Sequence, residues 1–187
     1  MPFTELDQNT ALIVVDLQTA AVSAELAHPV QQVVANITSL VDAFRKHGLP
    51  VVLVNVAGTP AGRNEHETAG FSLPDEMTRL IEELGSHPDD ILVTKNAWSA
   101  FSQTSLADKL HQAGVTQVVI TGIATSVGVE STARDAHGDG FHVSLPLDAM
   151  TDPSPNLHEH STTHIFPQPA ETGTTAELLQ LLDSTRR

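Results

Sequence analysis

Five short apolar runs alternate along the chain with longer amphipathic stretches, and this alternation limits the possible folds more than any other feature. The runs are rich in Val, Ile and Leu and comprise residues 11–15, 51–56, 91–94, 117–121 and 141–145. Strands that are apolar on both faces are typical of parallel sheets with helices on both sides. The pattern therefore predicts an α/β fold, a three-layer αβα sandwich around a mostly parallel, Rossmann-like sheet of five to six strands.

The stretches between these runs carry apolar residues at helical spacing. In the first of them the apolar positions are Val30, Val33, Val34, Ile37, Leu40, Val41 and Phe44. Such a stripe is typical of an amphipathic helix. The same reasoning predicts helices over residues 30–47, 74–84, 105–113, 125–137 and 175–182. Residues 57–73 contain Gly and Pro without periodicity, and they are predicted to form a long surface loop beside a site.

Length and charge restrict the class of protein. A chain of 187 residues is the size of one domain, so residues 1–187 are predicted to form a single domain. The formal net charge of -14 disfavours nucleic acid and anionic membranes as partners. No apolar run approaches the roughly 18 residues of a membrane helix, and the start of the sequence has no signal-peptide pattern. We therefore expect a soluble, cytoplasmic protein whose partner is a small molecule.

Chemically active residues occur where three of the predicted strands end. Asp16 follows the first strand, Lys95 follows the third, and the turn 122–128 follows the fourth. Ligands of parallel sheets bind beyond the carboxyl ends of the strands, so these groups should meet at one edge. An acid, a cation and a helix N-terminus at one edge predict a hydrolytic site.

The turn and the helix after it carry a recognisable motif. Residues 122–136 read Gly-Ile-Ala-Thr-Ser-Val-Gly-Val-Glu-Ser-Thr-Ala-Arg-Asp-Ala. Together with Asp16 and Lys95, this segment resembles the signature of the isochorismatase-like (cysteine hydrolase) superfamily, and the resemblance covers nearly the whole chain. It implies that Asp16 is the catalytic aspartate, that Lys95 is the catalytic lysine, and that Gly128 occupies the usual position of the nucleophilic cysteine.

Gly128 changes the chemistry that the resemblance implies. The sequence contains no cysteine, so a thiolate nucleophile and a thioester intermediate are excluded. Isochorismatases also resemble this pattern with glycine at that position, and they cleave a vinyl ether without a covalent intermediate. The resemblance further implies a cis peptide bond between Ile123 and Ala124. It also implies that the amides of Ala124 and Gly128 face an oxygen bearing negative charge.

The reaction that follows from this resemblance is acid-promoted hydrolysis of an enol ether such as isochorismate. We hypothesise that protonated Asp16 delivers a proton to the terminal carbon, and that water then adds over a space left by Gly128. The hemiketal collapses to a ketone, which is pyruvate in the case of isochorismate, and an alcohol. Lys95 should lower the Asp16 pKa, whereas an acid needs a high one. Burial by Trp98 and Phe101, with a substrate carboxylate on Lys95, is expected to reverse that balance.

Further residues are predicted to contact the substrate. Arg63 on the long loop can bind a carboxylate, although exposed arginines without a ligand are common, and we expect an anionic substrate. Gln18, Trp98, Phe101 and Ala124 complete the predicted substrate contacts. The absence of tyrosine removes one hydrogen-bonding contact usual in isochorismatases. This departure bears on the identity of the substrate more than on the type of reaction.

Two other functions fit the same residues. One is an amide or ester hydrolase in which Asp16 activates water directly. The other is a catalytically silent member of the fold that acts as a binding or assembly protein. Thr125 and Ser126 are interpreted as helix N-cap residues, because the motif places no His base beside either hydroxyl.

Neither a metal ion nor a cofactor is predicted. Nicotinamidase-like relatives carry an Asp-x-His pair after the second strand, but that region reads Val54-Asn55-Val56-Ala57-Gly58 here and lacks these ligands. His158, His160 and His164 are interpreted as surface histidines. Members of the superfamily usually form homodimers or homotetramers, so the resemblance also implies a homo-oligomer.

Overall fold

A parallel sheet of seven strands forms the centre of the protein, and its computed structural model describes residues 3–65 and 70–185. The strands are β1 (Thr10–Val15), β2 (Val51–Val56), β3 (Ile91–Lys95), β4 (Gln117–Ile123), β5 (His142–Pro146), β6 (Met150–Thr151) and β7 (Glu171–Gly173). Their order is β3-β2-β1-β4-β5-β7, and β6 pairs with the end of β4. Every strand pair is parallel, so the carboxyl ends of β1, β3 and β4 lie at one edge.

Helices cover both faces of this sheet. They are α1 (Thr19–Val22), α2 (Val30–Lys46), α3 (Asp75–Thr78), α4 (Leu106–Gln112), α5 (Glu130–Gly138), α6 (Pro155–His160) and α7 (Thr175–Thr185). The side chains of β1 alternate between two buried clusters: Ile13 packs with α4 and α5, and Leu12 packs with α2 and α7. Burial on both faces explains the continuous apolar run of β1. The predicted three-layer α/β architecture is confirmed.

The predicted helix over residues 74–84 is wrong. Only the four residues of α3 and a three-residue 3-10 turn, Glu82–Leu84, are helical there. Between them Arg79 and Ile81 have extended backbones, and the Ile81 amide donates to the Leu17 carbonyl. Backbone pairing with the segment after β1 therefore replaces the helix that the side-chain pattern predicted.

Two short strands, β6 and β7, and two short helices, α1 and α6, were not predicted. The sheet has seven strands rather than five to six, because β6 and β7 add two and three residues each. Strands of that length are too short to show a periodicity in the sequence. The pairing of β6 with β4 brings the segment after β6 beside the turn that follows β4.

The predicted loop over residues 57–73 begins and ends as an antiparallel pair. Gly58 pairs with Ser72, and the Thr59 amide donates to the Phe71 carbonyl. A Cβ at position 58 would collide with that carbonyl oxygen, so glycine is required for this close approach. Residues 66–69 lie outside the described part of the chain.

Helices that could cross a membrane, being both long and apolar enough, are absent from the described residues.

Candidate active site

Asp16 and Lys95 form a buried ion pair at the carboxyl edge of the sheet. Asp16 directly follows β1 and has a positive φ of 51°, and Lys95 is the last residue of β3. The Lys95 Nζ donates to Asp16 Oδ2 at 2.7 Å and to the Ala97 carbonyl at 3.0 Å. Lys95 is 2% exposed and Asp16 is 7% exposed. The structure thus brings together the acid and the cation that the sequence placed at separate strand ends.

Burial raises the pKa of the Asp16 carboxyl to about 6, and it outweighs the charge and hydrogen bond of Lys95, which lower this pKa. Oδ2 accepts from Lys95, whereas Oδ1 has no hydrogen-bond partner among the described residues. A proton on Oδ1 would leave the bond between Oδ2 and Lys95 intact. The carboxyl can therefore hold and release a proton close to neutral pH, as a general acid must.

A cavity of about 310 Å³ opens beside this pair. Its walls are mostly apolar and include Ala21, Leu26, Val56, Ile123, Val127 and Pro153. Asp16 and Lys95 are the only charged side chains among its described lining residues. This volume is at the small end of the range for small-molecule sites, so the cavity suits a small ligand.

Gly128 lines the cavity and lies against the carboxylate. It is buried in a π-helical turn, Thr125–Val129. A Cβ at this position would be 2.9 Å from Val15 Cγ1 and 3.1 Å from Asp16 Oδ2. The predicted open space above Gly128 is therefore absent, because β1 and Asp16 occupy that direction. Glycine instead allows the turn to approach the acid closely, and water must reach the site from the cavity.

Substituting Gly128 by Ala should disturb the acid. The methyl group would force Val15 and Asp16 to move, at a cost of about 1 to 3 kcal/mol in the free energy of unfolding. Gly138, which has no heavy atom within 4 Å of its Cβ direction, provides a matched control. Urea unfolding should show that G128A is destabilised and that G138A is not. Equal stability of the two variants would contradict the close contact.

The turn before Gly128 begins at Ala124, which also lines the cavity. The Ile123–Ala124 peptide bond is cis, as the resemblance implied. The Ala124 carbonyl accepts from the amides of Val127 and Val129 at 3.2 and 3.1 Å. The participation of the Ala124 and Gly128 amides in charge stabilisation stays a prediction.

Gln18 lines the cavity, but its side chain forms hydrogen bonds with backbone groups. Its Nε2 donates to the carbonyls of Val56 and Met77, and its Oε1 accepts from the Val56 amide at 2.7 Å. Because both N–H donors are used, Gln18 joins the ends of β1 and β2 to the α3 segment. This side chain shapes the wall of the cavity and has no N–H donor left for a ligand.

Three other predicted contacts differ in their position. Trp98 lines the cavity and is 63% exposed, so it stands at the mouth. Phe101 does not line this cavity; it is buried in the core and stacks on Phe141 at 5.9 Å. Arg63 is exposed on the loop after β2 and is also not among the lining residues. Phe101 and Arg63 are therefore not part of the wall of this cavity.

The structure places a histidine beside Thr125 that the motif did not reveal. The Thr125 hydroxyl and His158 Nδ1 are 2.9 Å apart, although 33 residues separate them in the sequence. Burial lowers the pKa of His158, His28 lowers it further, and Asp152 opposes both. Thr125 is fully buried and does not line the cavity, so its hydroxyl cannot reach a ligand there.

The histidine interpretation therefore needs one correction. His158 is half-buried and its ring contacts the His28 ring at 4.5 Å, so it is not a surface histidine. His160 and His164 are exposed, with ring centroids 5.5 Å apart. In the region after β2 that lacks metal ligands, the Asn55 side chain bonds to the Thr78 carbonyl and the Thr94 hydroxyl.

Comparisons with known proteins identify relatives in one family. The family model of the isochorismatase domain matches residues 10–177. The uncharacterized isochorismatase family protein YwoC of Bacillus subtilis is 38% identical over 180 residues, covering 92% of this chain and 94% of that protein. The ureidoacrylate amidohydrolase RutB of Stutzerimonas stutzeri is 33% identical over 172 residues, covering 76% of this chain and 68% of that protein.

A solved structure agrees with these relatives. The structure of an isochorismatase family protein from Burkholderia thailandensis superposes with a TM-score of 0.88 and 33% sequence identity. The match covers 96% of this chain and 98% of the other. The residues matched by the family model, 10–177, include Asp16, Lys95 and Gly128.

Proposed function

Because the chain belongs to the isochorismatase family and is a hydrolase of that family, we propose that it cleaves a small enol ether by acid-promoted addition of water. The observation that carries this proposal is the buried Asp16 carboxyl, whose pKa is raised to about 6, whose Oδ1 has no hydrogen-bond partner among the described residues, and which is among the residues lining a small cavity. A carboxyl in this state is suited to donate a proton at neutral pH.

The lack of a nucleophile supports a non-covalent reaction. The sequence has no cysteine, and glycine occupies position 128. The buried Thr125 hydroxyl lies outside the cavity lining, so it does not replace the thiol. Water is then the group that attacks the substrate.

The proposed steps balance as the addition of one water. The Asp16 carboxyl donates its proton to the terminal CH2 carbon of the enol ether, and the C=C electron pair forms the new C–H bond. Water attacks the resulting oxocarbenium carbon and returns a proton to Asp16. The hemiketal then collapses to a ketone and an alcohol. Lys95 holds the Asp16 carboxylate while it is charged.

We further propose an anionic substrate such as isochorismate. Lys95 has three N–H donors, of which Asp16 and the Ala97 carbonyl engage two among the described residues. A substrate carboxylate can accept from the third. Its negative charge would also raise the Asp16 pKa and favour the protonated acid. Binding of the substrate would thereby prepare the proton donor.

The rate should fall as the pH rises through the Asp16 pKa. The active form is protonated, so kcat/KM is constant below about pH 6 and decreases about tenfold per pH unit above it. Lys95→Met removes the interactions that lower this pKa, so carbon NMR of the Asp16 carboxyl should show titration at a higher pH. A kcat/KM that rises through pH 6 would instead favour the amide or ester hydrolase, which needs the carboxylate form.

Coupling pyruvate release to lactate dehydrogenase tests the proposal directly. Purified protein is assayed with isochorismate and with simpler enol ethers of pyruvate, and in parallel with small amides and esters. Turnover of an enol ether supports the proposal. Turnover of amides alone supports direct water activation, and turnover of neither supports a binding or assembly protein.

We also propose that the protein is a homodimer or homotetramer. Trp98 at the cavity mouth and Phe71 on the adjacent loop are large apolar residues that are 63% and 54% exposed in the single chain. Sedimentation equilibrium would measure the mass of the assembly.

A further inference from the structure

A second buried carboxylate, Asp152, holds the turn that carries Gly128. Asp152 directly follows β6 and is 2% exposed. Its Oδ2 accepts from the Ser126 amide at 2.8 Å and from the Ser126 hydroxyl at 2.7 Å. Its Oδ1 accepts from the Ser154 amide at 3.0 Å. Hydrogen bonds to an ionised carboxylate are roughly twice as strong as neutral ones, so this is a firm attachment.

The same residue connects two other walls of the cavity. The Asp152 carbonyl accepts from the Ala27 amide at 2.8 Å. Leu26, next to Ala27, and Pro153, next to Asp152, both line the cavity. Asp152 therefore joins the turn 124–128 to the loop before α2 and to the segment before α6.

The position of this turn matters because it contacts the acid. The Cβ direction of Gly128 ends 3.1 Å from Asp16 Oδ2, so a small shift of the turn changes the surroundings of that carboxyl. The bond between Thr125 and His158 attaches the same turn at the preceding residue. The side chains of Asp152, which follows β6, and of His158 in α6 thus hold the turn from outside the cavity.

We infer that Asp152 is a positioning residue, which holds the turn 124–128 at the distance from Asp16 that the reaction requires. This inference rests on the proposed function only because the enol ether reaction is used to measure kcat. Asp152 does not line the cavity and acts through Ser126. Displacements of about 1 Å in a reacting site reduce rates by about 100-fold.

The chain offers a control for the loss of a carboxylate in Asp148, which is exposed whereas Asp152 is buried. Its Oδ1 accepts from the amide and the hydroxyl of Thr175 at 2.7 and 2.8 Å, where α7 begins. Asp148 thus makes the same pair of bonds to one residue, but neither it nor Thr175 lines the cavity. D148N can keep both bonds to Thr175 through its amide oxygen, because one oxygen of Asp148 accepts them both. D152N must lose its bonds to Ser126 or its bond to Ser154, because Asp152 uses both of its oxygens as acceptors.

Three variants test the inference: D152N, D148N and S126A, the last removing only the hydroxyl bond. We expect D152N to lower kcat about 10- to 100-fold with a smaller change in KM, and S126A to lower it several-fold. D148N should keep kcat within about twofold, since it alters only the attachment of α7. The inference is overturned if D152N keeps the kcat of the wild type, or if D148N loses as much. If D152N does not fold, an unchanged kcat in S126A overturns it.

Amide hydrogen exchange provides a readout that needs no substrate. D152N should accelerate exchange at residues 126–129 and leave α7 protected, and D148N should leave that turn protected. Faster exchange at the turn in D152N would support the role of Asp152 in holding the turn. If the wild type at the same time turned over no enol ether, the proposed function alone would be refuted. Unchanged protection at the turn in D152N would refute the attachment itself.

Discussion

Replacing Asp16 by Asn should lower kcat for the enol ether by about a thousandfold or more, within the range that general acids contribute. The amide side chain has nearly the same shape as the carboxyl but cannot deliver a proton to carbon. Substrate binding through Lys95 remains, so KM should change less than kcat. Steady-state kinetics on the folded variant, checked by circular dichroism, measures both parameters.

Asp90 is the matched control for this substitution. It forms a salt bridge with Arg45 at 2.7 Å, and its side chain is 4% exposed, so it is also a paired and buried aspartate. It is not among the cavity-lining residues. D90N should lose stability and retain kcat. If D16N instead keeps its kcat within tenfold of the wild type, Asp16 is not the proton donor.

The second large effect concerns the free energy of unfolding of the buried pair. D16N leaves the buried Lys95 ammonium without a carboxylate counter-ion, so that only neutral acceptors such as the Ala97 carbonyl remain. Removal of one member of a buried pair costs about 3 to 5 kcal/mol, whereas replacing both members is often neutral. Urea unfolding at pH 7 should therefore show that D16N is strongly destabilised and that the double variant D16N/K95M recovers most of the loss.

The single variant K95M should behave differently with pH. Asp16 can protonate when its partner is removed, so K95M should lose less stability at pH 5 than at pH 8. In the wild type, the folded pKa of Asp16 is raised from 3.8 to about 6, so the contribution of this group to stability decreases as the pH rises between these values. Additive losses in D16N and K95M, with no recovery in the double variant, would contradict a coupled pair.

The sequence was most informative where an element is long and buried. The 17 residues of α2 and the fully buried β1 follow their predicted bounds closely, because packing between the helices and the sheet fixes both patterns. The helix predicted over residues 74–84 was wrong, because side-chain spacing does not reveal backbone hydrogen bonds to the segment after β1. Local patterns predict elements, and pairing between distant segments modifies them.

In the candidate site, too, some features follow from local sequence patterns and others depend on contacts between distant segments. Asp16 and Lys95 were predicted because strand ends are recognisable and parallel strands end at one edge. The contact of Gly128 with Asp16 depends on how closely the turn approaches β1, and no sequence pattern reports that distance. Asp152 and His158 were missed as anchors because their partners are 26 and 33 residues away in the chain. Side-chain contacts of that range become visible only in the folded structure.

Isotope labelling of the products tests the proposed chemistry most directly. The reaction is run in deuterated, 18O-enriched water, and lactate dehydrogenase reduces the pyruvate as it forms. If a proton is delivered to the terminal carbon, the methyl group of lactate carries one deuterium. If water then attacks the same carbon that bears the ether oxygen, the released alcohol contains no 18O. An alcohol that carries 18O, or a methyl group without deuterium, would contradict hydrolysis by proton donation from Asp16.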